Sequence, residues 1–253
     1  MAMDLQTLAL TLLIGAAAGF CSGAFGAGGS ALSTPLLALI GVPPTMAVAS
    51  PLPATIPTAF NGGRQYLRDG HVDFRVLRIG LITGIPLAAL GAFCTRWIPG
   101  HALVLATDVI LIVLALRMLL HVKTVEAPET GGVPSVLRTA VIVGAVGLVA
   151  GLLGNSGGFL LVPLFVNLLR LPMKRALGTS LLIACVLAVP GTLVHALLGH
   201  IDWMVTLAIA LTAVPFARVG ARVSLRAKDR SITLAYAAGL ATLSTFLLVT
   251  GTL

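Results

Sequence analysis

Long apolar stretches dominate the chain, and two of them are broken from within by glycine. Residues 5–40 form the first, interrupted by Gly26–Gly29. Its first leg, 7–24, nearly spans a bilayer. Its second, 30–40, is too short at about 1.5 Å per residue to cross a core of about 30 Å. The pattern predicts a re-entrant hairpin, closed by Gly41-Val42-Pro43-Pro44. Apolar segments follow at 46–67, with Pro51, Pro53 and Pro57 inside, at 75–97, with Pro86 inside, and at 102–121. Residues 122–137 are the one extended polar stretch. Apolar segments then return at 139–169, again glycine-broken, at 176–198, at 204–221 and at 231–251.

The second half repeats the first. Gly23-Ala24-Phe25-Gly26-Ala27-Gly28-Gly29 is matched by Gly151-Leu152-Leu153-Gly154-Asn155-Ser156-Gly157-Gly158, with Gly23, Gly26, Gly29 and Pro35 each 128 positions before Gly151, Gly154, Gly157 and Pro163. Gly70-His71-Val72-Asp73-Phe74 returns as Gly199-His200-Ile201-Asp202-Trp203, and Pro86 as Pro215, both at an offset of 129. Each glycine costs a helix about 1 kcal/mol relative to alanine, so runs this dense predict unwound backbone. In a membrane such backbone survives only when buried in protein or lining a cavity. Paired breaks in two halves point to a transporter's binding site. The organisation read from this is residues 1–121 as a first repeat, 122–137 as a cytoplasmic linker and 138–253 as a second repeat.

Composition agrees: 58% of the 253 residues are hydrophobic, 9% are charged and the mean hydropathy is +1.06. A soluble domain carries about 25% charge. The chain reads as an all-α polytopic membrane protein. Its net charge of +8 sits mainly in short loops and at helix ends, so it is a topology and lipid-headgroup signal rather than a nucleic-acid surface. Cys21, Cys94 and Cys185 lie in apolar stretches without a C-x-x-C, which suggests neither a disulfide framework nor a metal site. The first ten residues lack the basic region of a cleaved signal, so the first segment is expected to be retained.

Charge also sets orientation. Arg64, Arg68, Arg75 and Arg78 flank the first Gly-His-Val-Asp loop, whereas the second has no basic neighbour. Conversely, Arg170, Lys174 and Arg175 follow the second broken segment, while 41–50 carry no charge. Short basic loops stay cytoplasmic. Equivalent loops then lie on opposite sides, giving two inverted-topology repeats, each a glycine-broken hairpin plus three transmembrane helices. Both termini fall on the non-cytoplasmic side.

The second legs should present free backbone N–H groups near Gly28–Ser30 and Ser156–Phe159. Helix N-termini carry partial positive charge and suit an anion. Gly26, Gly28, Gly29, Gly154, Ser156 and Gly157 are candidate amide donors; Ser30, Asn155 and Thr179 are candidate side-chain donors, with Ser22 nearby. The alternative is that the glycines serve close helix packing. Ser50 and Ser180 flank the hairpins and either cap a helix or line the site. Asn61 and Gln65 share a face and are candidate pore-lining polars. His195, aligned with Tyr66, is either a proton shuttle or substrate donor, or a structural histidine. Asp108 is an intramembrane carboxylate about two turns inside the fourth apolar segment, a candidate for proton coupling or a hydrogen-bonded structural residue.

Gly154-Asn155-Ser156-Gly157 with His195 also looks like the serine–histidine pair of rhomboid intramembrane proteases. The repeat argues against this, because Gly28 stands where Ser156 would need a counterpart.

The doubled glycine segments with Pro35 and Pro163, the stretch Ala176-Leu177-Gly178-Thr179-Ser180-Leu181 and the doubled Gly-His-[Val/Ile]-Asp loops resemble the TauE/SafE sulfite-exporter family. The resemblance implies transport of sulfur-containing oxyanions, such as sulfite or organosulfonates, across a bacterial cytoplasmic (inner) membrane. The first copy departs from the pattern: Ala49-Ser50-Pro51 stands where the second has Gly-Thr-Ser, so the two half-sites differ. The expected function is secondary transport, as an exporter, by alternating access, with an anion channel as the second reading. No cofactor, metal or nucleic acid is expected. The expected partners are the anion, membrane lipid and a second copy in a homodimer.

Overall fold

The computed structural model describes residues 4–26, 28–99 and 134–232, with scattered positions in 101–113 and 234–242. Every regular element among them is helical. The first half contains α1 (Leu5–Phe25), α2 (Ser30–Leu39), α3 (Pro44–Ala49), α4 (Pro51–Arg68) and α5 (Phe74–Cys94), the last extended by a 3-10 turn over Thr95–Trp97. The second half contains α6 (Val136–Leu152), α7 (Gly158–Asn167), α8 (Met173–Leu197) and α9 (Trp203–Arg226). Asp108 and most of 102–133 and 233–253 lie outside the described residues.

Among the described residues four helices are long and apolar enough to cross a membrane: α1, α5 with its turn, α8 and α9. The short second legs are present as α2 and α7, ten residues each. The segment expected over 46–67 is two pieces. Ser50 keeps helical angles, at φ −65° and ψ −29°. Pro51 has no N–H, so the hydrogen-bond ladder is interrupted there. The apolar segment expected at 204–221 continues as helix, so that Arg222 and Arg226 belong to α9. Basic side chains are favourable at a helix C-terminus and reach outward to headgroups.

The packing is reciprocal. α1 lies along α9, and α6, its counterpart in the repeat, lies along α5, the counterpart of α9. α4 and α8, which also correspond, pack on each other between these pairs. Small residues bring the backbones together. A Cβ on Gly23 would run into the backbone of Ala217, and one on Gly151 into that of Ala88. Gly15 and Gly19 similarly face Ile209 and Ala213. Close backbone approach supplies the van der Waals contact that holds helices together where lipid removes the hydrophobic drive. The equivalent residues Ile82 and Leu211 are exposed on α5 and α9, as is Leu207, giving those helices an apolar outer face.

The two halves differ inside. One buried cluster, with Val143, Leu161, Phe165, Ile183 and Leu187, is made of large aliphatic and aromatic side chains of the second half with Val76 and Ala88 of α5. The cluster around the first half mixes Ile14, Leu37 and Ile209 with Ala47, Ala54 and Ala213.

Candidate functional site

Each glycine run contains two different devices. Gly23 and Gly151 remain helical and serve the close packing described above. The first break lies where the sequence places it, between Phe25 and Ser30. The breaks comprise Gly26, Gly28 and Gly29 in one copy, at φ 69°, 75° and 81°, and Gly154 and Gly157 in the other, at φ 59° and 67°. These left-handed angles are those glycine adopts without a Cβ penalty. Gly26 N–H closes α1 by donating to Ser22 O at 2.8 Å, and Asn155 N–H closes α6 by donating to Ala150 O at 2.9 Å.

The two breaks meet. Ser156 N–H donates to Ser30 Oγ at 3.1 Å, and the two hydroxyls lie 3.4 Å apart. Ser180 Oγ lies 3.3 Å from Gly26 O while also donating to Leu177 O at 2.9 Å. A side chain at Gly28 would collide with Ser156 Oγ. Ser30, Ser156 and Ser180 are fully buried. One residue from the start of each short helix therefore touches the other, and the N–H groups of Ser30 and Ala31 in α2 and of Gly158 and Phe159 in α7, which precede the first intrahelical bonds, begin at one junction.

Three polar groups around it are buried without a partner. Asn155 accepts from Gly157 N–H through Oδ1 at 2.8 Å, which leaves its buried Nδ2 donor unused. Ser22 Oγ is likewise orphaned, and its Cβ stands 3.6 Å from where a Cβ of Gly29 would be. His195 Nδ1 is 3.2 Å from His200 Nδ1, and its Nε2 is unpartnered beside Gly154. Ser156 therefore forms no hydrogen bond with His195, and the serine–histidine dyad is not assembled. A buried donor without an acceptor costs about 1–3 kcal/mol, and these three groups lie close to the two breaks.

The remaining candidates are occupied elsewhere. Thr179 Oγ1 accepts the Asp73 N–H at 2.9 Å, and Ser50 Oγ accepts the Asp202 N–H at 3.0 Å. These residues correspond in the repeat, so each half ties down the other half's Gly-His-x-Asp loop. The aspartates in turn cap α5 and α9: Asp73 accepts from Arg75 and Val76 N–H, and Asp202 from Met204 and Val205 N–H. Asn61 donates to Val214 O at 2.9 Å, joining α4 to α9, and Gln65 lies 3.5 Å from Asn61 O.

One feature was not legible from motifs. A small cavity opens beneath the first break, bounded by Gly28, Gly29 and Ser33 on one side and Ala54, Thr55 and Thr58 of α4 on the other. Thr55 and Thr58 lie one turn apart on the same helix face, a pattern of small hydroxyls inside an apolar segment that could have been found. Among the described residues no group of three or more His, Cys, Asp or Glu is placed to hold a metal, and the three cysteines are free thiols.

The family model described as sulfite exporter TauE/SafE matches residues 11–247. A probable membrane transporter protein of Xylella fastidiosa (strain 9a5c) is 32% identical, covering 81% of this chain and 80% of its own length. The probable membrane transporter protein YunE of Bacillus subtilis (strain 168) is 23% identical over 90% of this chain and 93% of its own. YdhB of the same organism, also described as a probable membrane transporter protein, is 29% identical over 84% and 89%. No solved structure gives a significant match.

Proposed function

The chain belongs to the TauE/SafE sulfite-exporter family of membrane transporters, and on that premise we propose that it is a secondary transporter exporting a small sulfur-containing oxyanion, such as sulfite or an organosulfonate, across the bacterial cytoplasmic membrane. The anion binds where the two breaks meet and is passed by alternating access. The observation that carries this reading is the junction itself. Two short helices start at one buried point, joined through Ser30 and Ser156, with the Asn155 amide left without an acceptor. Backbone N–H groups at helix starts and neutral side-chain donors hold an oxyanion by hydrogen bonds without a fixed countercharge. The orientation called for is inverted: equivalent loops on opposite faces, both termini outside the cytoplasm. The opposite loop charges of the two halves support it, and the reciprocal packing of α1 on α9 and α6 on α5 is that of two halves related by a two-fold axis. His195, buried and half unpartnered, is the proposed point of proton coupling within the described residues.

The test is flux of sulfite, thiosulfate and sulfoacetate in proteoliposomes, with and without a pH gradient, for the natural protein, Asn155→Ala and Asn155→Asp. A hydrogen bond to a charged group is worth about 1.5–3 kcal/mol, so Asn155→Ala raises KM roughly tenfold to a hundredfold. Asn155→Asp keeps the Oδ1 acceptor for Gly157 but places a negative charge on the anion, so it folds and loses transport. Natural-level flux in the aspartate variant overturns the placement of the site. Failure of the intact natural protein to move any of the three overturns the substrate class.

A further inference from the structure

The offsets that relate the two halves allow the cavity beneath the first break to be compared, position by position, with the same place beneath the second. The first is a small gap between α1, α2, α4 and α9. Its walls are small or hydroxylic: Ala18 on α1, Ser33 on α2, and Ala54, Thr55 and Thr58 on α4. The corresponding second-half residues are Val146, Leu161, Ile183, Ala184 and Leu187. All are buried, with Leu161, Ile183 and Leu187 no more than 1% exposed. The fourth wall makes the same exchange in reverse. Ile209 and Ala213 of α9 correspond to Gly80 and Gly84 of α5, and these glycines make room for the intruding side chains: positions for a Cβ there lie 3.0 Å from Ile183 Cδ1 and 2.9 Å from Leu187 Cδ2. Beneath the second break large buried side chains therefore stand where the first has small ones, and glycine on the far wall accommodates them.

We propose that the transporter has a single anion chamber, in the first half between α1, α2, α4 and α9, and that its second-half counterpart is a permanently filled packing core. This rests on the transport reading above and deepens it. The ligand chemistry follows from the walls. Leu32 and Ser33 N–H donate to Gly29 O, which leaves the N–H groups of Ser30 and Ala31 at the start of α2 without an intrahelical acceptor, and Gly28 and Gly29 bring no Cβ atoms over them. Thr55, Thr58 and Ser33 hydroxyls donate to the carbonyls of Pro51, Ala54 and Gly29, at 3.0, 2.6 and 3.1 Å. Helical carbonyls retain their backbone N–H donors, so these hydroxyls can turn to a ligand. Ser22, buried and without a partner, stands beside Gly29 as a further donor. No charged side chain lines the space. Neutral donors in a small chamber suit a compact inorganic oxyanion such as sulfite. The second break contributes Asn155 and Ser156 across the junction without a chamber of its own.

The experiment transplants the filling. Thr58→Leu places in the first chamber the residue that fills the second, and Leu187→Ala opens the second. Sulfite flux in proteoliposomes and the sulfite-induced shift of the unfolding midpoint in detergent are read for each, alongside Thr58→Val, which keeps the volume and removes the hydroxyl. The expected result is at least a tenfold fall in flux and loss of the sulfite shift in Thr58→Leu. Thr58→Val shows a several-fold higher KM, and Leu187→Ala keeps flux per folded molecule and KM within twofold of the natural protein. Natural flux and shift in both Thr58 variants overturn the single chamber, as does loss of both in Leu187→Ala protein that elutes as a folded species. If the natural protein shows neither flux nor shift with sulfite, the transport reading itself falls, a result distinct from either of these.

Discussion

Replacing Thr179 by alanine separates a structural hydroxyl from a substrate-binding one. The change removes the acceptor for the Asp73 N–H, a bond of 2.9 Å. A protein hydrogen bond contributes about 1 kcal/mol net, and a donor left without a partner costs about 1–3 kcal/mol. Thr179 is fully buried, so its methyl group adds about 0.8 kcal/mol. The partly buried loop lets water recover some of the lost bond, which sets the total at roughly 2–3 kcal/mol, or about 4–12 °C in unfolding midpoint at this chain length. Thr179→Ser keeps the hydroxyl and loses only about 1 kcal/mol. Ser50→Ala, which frees the Asp202 N–H, costs about 1–2 kcal/mol, and because the two bonds share no partner the losses add in the double variant. The assay is thermal unfolding in detergent with sulfite KM measured on the folded fraction. If Thr179→Ala leaves the midpoint unchanged but raises KM, Thr179 is a ligand for the anion and the bracing role is wrong. The bracing role also fails if the serine variant is as unstable as the alanine one.

Three further outcomes follow from the same geometry. Gly151→Ala drives a Cβ into the Ala88 backbone, forcing α6 off α5; it reduces the yield of folded protein sharply, whereas Gly41→Ala, where a Cβ meets no atom, pays only for its left-handed angle, about 1 kcal/mol, and both are read by fluorescence size-exclusion. Leu187→Ala lowers stability by about 2–5 kcal/mol through the cavity it leaves, measured by chemical unfolding. Asp4 caps α1, accepting from Thr7 N–H at 2.9 Å, and hydrogen bonds from Thr7, side chain before backbone, hold its carboxyl below the ordinary carboxylate value of 3.8. The cap is therefore intact above that value and is lost as pH falls through the lowered one, so exchange of the Thr7 amide accelerates only in strong acid.

Much of the architecture was legible because glycine and proline report backbone directly. The doubled runs marked the two breaks, since left-handed angles such as those at Gly26 and Gly154 are cheap only for glycine, and the short second legs followed from length alone. The runs did not reveal that Gly23 and Gly151 admit the backbones of Ala217 and Ala88: a glycine that admits a neighbouring backbone and one that turns the chain look the same until the neighbour is known. The bracing by Ser50 and Thr179 was equally hidden, because their partners Asp202 and Asp73 are distant in sequence and lie in the opposite half. The difference between an open and a filled chamber was present in the letters, in Thr58 against Leu187 and Ala54 against Ile183, but it acquires meaning only when the structure shows that these side chains point into corresponding spaces.

The central claim, a carrier for sulfur oxyanions, is tested most directly by counterflow. Proteoliposomes holding unlabelled sulfite are placed in a trace of labelled sulfite, with no net driving force. A carrier that alternates around one anion site accumulates label transiently inside, at a rate that saturates with sulfite concentration. Label that merely equilibrates, at a rate linear in concentration, contradicts alternating access, and an intact protein that exchanges no sulfite, thiosulfate or sulfoacetate contradicts the substrate class.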